Sequence, residues 1–118
     1  MSTNVVASYG GQRRIKKINL TSSAAASTST GWAFPPKSIL LNGWIDVNTI
    51  AAGETLNIGT SASAALFGSA MSIATATQVM LDGTIPSLAV GDEEVYVDTV
   101  SASTTLDVDI YLEYVEAV

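Results

Sequence analysis

The stretch that decides the fold is Thr105-Leu-Asp-Val-Asp-Ile-Tyr-Leu-Glu-Tyr-Val115. Leu106, Val108, Ile110, Leu112 and Tyr114 fall on one face. Asp107, Asp109, Tyr111 and Glu113 fall on the other. A strict two-residue period with β-branched and aromatic residues marks a strand with one face on a core and the other in solvent. The run Ser38-Ile-Leu-Leu-Asn-Gly-Trp-Ile-Asp-Val-Asn-Thr49 alternates in the same way. Its period assigns Ile39, Leu41, Gly43, Ile45 and Val47 to the core face. Leu40, Asn42, Trp44, Asp46 and Asn48 are assigned to the opposite one. Shorter runs read as strands over residues 13–20, 55–58, 78–81 and 94–100, with Leu56, Ile58, Val95 and Val97 inward. Residues 21–31 are small and hydroxyl-rich and predict a loop or a weak edge strand. Residues 60–76 are compatible with one helical turn near 64–67 or with a loop and a short strand. Turn signals separate the runs, among them Gly10-Gly11, Pro35-Pro36, Ala52-Gly53-Glu54, Asp82-Gly83 and Ile85-Pro86.

Short strands at this spacing predict an all-β chain, an antiparallel β-sandwich of jelly-roll-like form. We expect a flexible, extended N-terminal arm over residues 1–12 and a single sandwich domain over residues 13–118. The first strand, Arg13-Arg-Ile-Lys-Lys-Ile-Asn-Leu20, breaks parity, because Ile15 opposes Ile18 and Leu20. A bulge or an edge position reconciles it.

Composition narrows the chemistry. The chain has 118 residues, 47% of them hydrophobic and only 14% charged, with neither His nor Cys. Apolar content this high, with a net charge of −6, argues against disorder. The missing residues remove disulfide scaffolds, Cys/His zinc sites and every His-based triad or general base. The serines have no nucleophile elbow around them, and no phosphate-binding loop is present. We therefore expect no enzyme and no cofactor. The N-terminus begins polar, without the charge-then-apolar order of a signal peptide, and no window approaches a membrane span. The chain reads as mature and soluble, with no membrane partner.

Charge is sorted along the sequence. Arg13, Arg14, Lys16, Lys17 and Lys37 are the basic residues, and all eleven acidic residues follow them, from Asp46 to Glu116. The ordinary reading is a solvated strand face. The sharper one is a basic segment that docks on an acidic surface of another copy or of a larger protein. Nucleic acid fits poorly: an acidic body repels phosphate, and Tyr9 is the one aromatic near the basic cluster.

Two carboxylate groups stand out, Asp107-x-Asp109 and Asp92-Glu93-Glu94. Calcium needs six to eight converging oxygens, and same-face strand neighbours supply two, so a solvated acidic face is expected rather than a metal site. A small chain leaves little room for a glycosidase cleft. If residues 94–100 and 105–115 form a direct hairpin, a turn over 101–104 pairs Val97 with Val108 and Val95 with Ile110. Asp98 then faces Asp107, and the repulsion calls for water, a cation or a partner's basic residue. In a jelly roll those two strands belong to different sheets, and the pairing does not arise. Trp32, Phe34 and Trp44 read as core or interface anchors in preference to a sugar platform.

One segment resembles a known group. Ile45-Asp46-Val47, then Ala52-Gly53-Glu54-Thr55-Leu56-Asn57-Ile58-Gly59-Thr60, then Ala65-Leu66-Phe67, is similar to a pattern in small structural proteins of tailed-phage virions. The Phe34-Pro35 lead-in and the hydroxyl-rich final strand pair extend the likeness over residues 34–115. The resemblance implies a head decoration (cement) protein on the outer capsid surface, assembled in the host cytoplasm. Such proteins often form homotrimers, clamp the major capsid (coat) protein, and reach a neighbour with an N-terminal arm. It carries no catalytic residues over. Many such arms are Pro-rich, whereas this one is polar with Gly10-Gly11. On this reading residues 2–17 contact a neighbour, with Arg13, Arg14, Lys16 and Lys17 supplying charge and Trp32 and Phe34 serving as apolar anchors. The alternatives are a carbohydrate- or receptor-binding module of a tail or fibre, and a tail or neck structural protein.

Overall fold

The computed structural model describes residues 13–22, 26–49, 54–73, 78–83, 92–99 and 106–116. The expected arm over 1–12, the turn over 101–104 and Ile85-Pro86 lie outside the described residues. The strands are β1 (Arg13–Leu20), β2 (Thr28–Ala33), β3 (Ser38–Thr49), β4 (Thr55–Gly59), β5 (Gly68–Ser72), β6 (Gln78–Met80), β7 (Glu94–Thr99) and β8 (Asp107–Glu116). They form two four-stranded antiparallel sheets, ordered β1-β8-β3-β6 and β2-β7-β4-β5. First pairs with last, second with seventh, third with sixth and fourth with fifth. This is one long hairpin folded over on itself, so that alternate pairs fall in alternate sheets, which is the jelly roll. No helix among the described residues is long and apolar enough to cross a membrane.

β8 is the spine of the first sheet. It pairs with β1 on one side and β3 on the other. Val108, Ile110, Leu112 and Tyr114 are buried as their period requires. Each fully buried aliphatic side chain contributes roughly 1.5–3 kcal/mol by leaving water. Facing them across the core stand Leu56, Ile58, Val95 and Val97 of the second sheet, with Phe34, Phe67 and Ile73 filling between.

The face assignment of β3 requires a correction. Ser38 and Leu40 are fully buried, while Ile39 and Leu41 are half-buried. Leu40 pairs with Tyr114, but Asn42 pairs with Glu113, so one residue of β3 is extra at this point. This bulge reverses the parity of the strand. Beyond it Gly43 and Ile45 point inward as expected. A Cβ on Gly43 would lie 2.4 Å from Leu81 Cδ1, so only glycine lets Leu81 close over β3.

The direct hairpin between the last two strands does not form. β7 and β8 lie in different sheets. Asp98 stands opposite Asn57, and Asp107 opposite Thr49, so the two carboxylates are not neighbours. Residues 60–73 hold a loop and then β5, with no helical turn. Phe67 is fastened there by its amide, which donates to the Ile58 carbonyl at 2.9 Å. The weak edge strand expected within 21–31 is realised as β2, at the edge of its sheet.

Candidate interaction surface

The basic cluster is part of the sandwich. All eight residues of β1 pair with β8 in unbroken register, so Arg13 to Lys17 are strand and not tether. The strand expected over residues 13–20 therefore forms, and residues 13–17 of the segment expected to contact a neighbour belong to it. β1 is an edge strand, which also accounts for its broken parity without a bulge. The strand period splits the four cations between two faces. Arg14 and Lys16 share the inward parity of Ile18 and Leu20, opposite Tyr114 and Leu112. Arg13, Ile15, Lys17 and Asn19 lie on the outer face. There Arg13 Nη1 sits 3.6 Å from Glu113 Oε2, and Lys17 Nζ sits 3.8 Å from Asp109 Oδ2. Exposed ion pairs of this kind are worth under about 1 kcal/mol each.

Lys16, on the inward parity of β1, has its Nζ 5.8 Å from the centre of the Trp32 ring of β2. Trp32 is half-buried, edge-on to Phe34 at 4.8 Å and tilted against Tyr114 at 5.6 Å. Phe34 does not fit the role of a partner anchor. It is only 1% exposed, and its ring meets Phe67 and Tyr114 edge-on at 5.9 Å each. Its amide donates to Glu93 O, and its carbonyl accepts from the Asp92 amide. Those bonds draw the end of β2 onto the start of β7 and leave the ring no surface to offer. Arg13, Arg14, Lys16, Lys17 and Trp32 therefore remain as the exposed or half-exposed members of the expected set.

The carboxylates are met by this chain's own amides. The Asn19 side-chain amide donates to both Asp107 Oδ1 and Asp109 Oδ1, at 2.9 Å each. Asn48 donates to Asp109 Oδ2 at 3.0 Å. Hydrogen bonds from Asn48 and then Asn19, reinforced by the charge of Lys17, hold the Asp109 carboxyl below the ordinary carboxylate range. On the second sheet, Asn57 Nδ2 donates to Asp98 Oδ1 at 2.6 Å. Its Oδ1 accepts from the Ala70 amide at 2.7 Å, steadying Ala70 at a left-handed φ of 50°. Among the described residues no group of three acidic side chains gathers in a way that holds a metal ion.

Sequence reasoning did not bring Trp44 and Tyr111 together. They pair across β3 and β8 on the outer face, with rings stacked at 5.2 Å and 12°. The register continues this row to Lys17 on β1 and Met80 on β6, spanning all four strands. The outward parity of each ring was readable, but their meeting depended on a pairing between residues far apart in the chain. The three aromatics grouped by sequence do not form one platform: Phe34 is core, Trp32 lines an edge, and Trp44 stands on the opposite side of the first sheet.

No protein family matches the sequence, and no curated protein does. Solved structures do match the fold. A chain of the cyanophage Pam1 capsid asymmetric unit superposes with a TM-score of 0.67 at 17% identity, over 90% of this chain and 86% of that one. A chain of the capsid of Ralstonia phage GP4 gives a TM-score of 0.67 at 14% identity, over 91% and 86%. At these identities the likeness is one of fold.

Proposed function

We propose that this chain is a non-enzymatic structural protein of a phage virion, a decoration protein that binds the outer capsid surface and clamps coat subunits. The observation that carries the reading is a near full-length jelly-roll match to chains from two phage capsid structures. Fold alone hosts many functions, so the site must add to it. It adds a basic edge strand, Arg13-Arg14-x-Lys16-Lys17, on a body whose remaining charge is almost wholly acidic. Such an edge attracts an acidic coat surface or an acidic neighbouring copy and repels neither, while the acidic body disfavours nucleic acid. Copies associate as a ring, a homotrimer in this reading, assembled in the host cytoplasm and retained on the particle. Binding only to the finished shell stabilises that shell by mass action, and many equivalent sites amplify weak contacts.

The test uses particles stripped of the chain and re-decorated with purified protein. A chain with Arg13, Arg14, Lys16 and Lys17 all changed to Gln should lose roughly tenfold or more in particle affinity. Wild-type binding should weaken steeply with salt. Unchanged affinity in the Gln variant overturns the basic edge as the docking element. Deleting residues 2–12, which leaves β1 intact, tests separately whether the preceding segment contributes.

A further inference from the structure

We propose that the two edges of the β1-β8-β3-β6 sheet are the two halves of a head-to-tail contact between copies of this chain. Among the described residues two large hydrophobic side chains are exposed, Ile15 at 57% and Met80 at 52%. An isolated exposed apolar residue is ordinary. These two are placed alike: both lie on the outer face of one sheet, Ile15 on the β1 edge and Met80 on the β6 edge, with Trp44 and Tyr111 stacked between.

The two edges also differ in charge. On the outer face beside Ile15 stand Arg13 and Lys17, each more exposed than the Glu113 and Asp109 carboxylates they pair with. Near Met80 the charges are negative: Asp82, two residues on, whose Oδ1 accepts from the Ser69 amide, and, one row along the sheet, Asp46, which accepts from the Gln78 side chain. An apolar residue among cations thus fits an apolar residue among carboxylates. A β1-to-β1 contact would set one basic strand against another, which costs free energy. β6 has three residues and offers little to a copy of itself. The complementary pairing is β1 edge of one copy to β6 edge of the next. A contact between unlike surfaces repeats around a ring when its rotation closes, which an isologous contact cannot do. The proposal rests on the reading above for the claim that copies associate, and adds which surfaces they use.

The purified chain alone, followed by sedimentation velocity and native mass spectrometry, tests it without any capsid. Wild type should associate, and Ile15→Lys or Met80→Lys should each weaken association at least about tenfold. Far-UV circular dichroism and urea midpoints check that both variants fold, and Ile15→Ser and Met80→Ser serve if either does not. A mixture of Ile15→Lys with fluorescently labelled Met80→Lys should form heterodimers, because each variant keeps the edge that the other lacks. Three outcomes overturn the contact: a wild type that stays monomeric to ~100 μM, a variant that associates like wild type, or a mixture that associates no better than its components. If coat binding fails while these results hold, the decoration reading falls and the contact between copies stands. If wild type is monomeric and both variants lose particle binding, this face belongs to the coat.

Discussion

Phe34 and Trp44 lie close together in sequence and finish in opposite settings. Phe34 sits in the core with Trp32, Phe67 and Tyr114 around it. Trp44 stacks on Tyr111 on the outside of the first sheet, flanked by exposed Met80. Both are aromatic residues near a turn or within a strand, and composition does not distinguish them. What separates them is the backbone. The Phe34 amide and carbonyl are bonded to residues 92–93, which draws the ring between the sheets. Trp44 sits two residues past a bulge, on the parity opposite buried Ile45. The inner cluster holds the fold, whereas the outer pair lies where another molecule can reach it.

The largest test of that contrast is Phe34→Ala. Emptying so large a buried site should cost about 3–5 kcal/mol in urea unfolding, a large share of the 5–15 typical of a domain. A loss under about 1.5 kcal/mol would return Phe34 to the class of surface anchors. Tyr111→Ala should cost much less, about 1 kcal/mol, because a stacked pair adds only modestly to area burial and this one is partly solvated already. A Tyr111→Ala loss equal to that of Phe34→Ala would make the outer pair structural and erase the comparison.

The fold was legible where local pattern and tertiary role agree. The inward residues of β4, β7 and β8 followed from the two-residue period, since each strand buries one face and solvates the other. The pattern failed on β3 because the bulge near Leu41 adds one residue opposite Tyr114 and Glu113, and nothing in the local hydrophobic order marks it. Val95 and Val97 were expected beside Val108 and Ile110, and those residues do share the core. They do so face to face across the sandwich rather than side by side in one sheet. Periodicity fixes which residues go inward but not which sheet carries them. The basic cluster was visible as composition, while its place along a sheet edge came from pairing with β8. Asn19 and Asn48 carried no sequence signal as partners of Asp107 and Asp109, because three strands distant in the chain bring them together.

The smallest expected effect probes the outer face through its charge. Asp109 has its carboxyl held below its ordinary value of 3.8 by Asn48, Asn19 and Lys17, in a site that the inner cluster does not touch. Removing Asn48, the largest of these influences, should raise the Asp109 titration midpoint, followed by carboxyl NMR, more than Lys17→Ala does. The sign for stability follows from the depressed folded value. The contribution is fully present above the unfolded carboxylate range and is lost as pH falls through the folded midpoint. The stability gap between wild type and Asn48→Ala should therefore be flat near neutral pH and narrow in acid. A gap that widens on acidification would mean that Asn48 does not lower the Asp109 midpoint; a midpoint that Lys17→Ala moves further than Asn48→Ala would mean that the ion pair and not the amide pair organises this face. In that case the Asp109 carboxylate would be tuned by the basic edge itself, and changing Lys17 to probe binding would also disturb the carboxylate beside it.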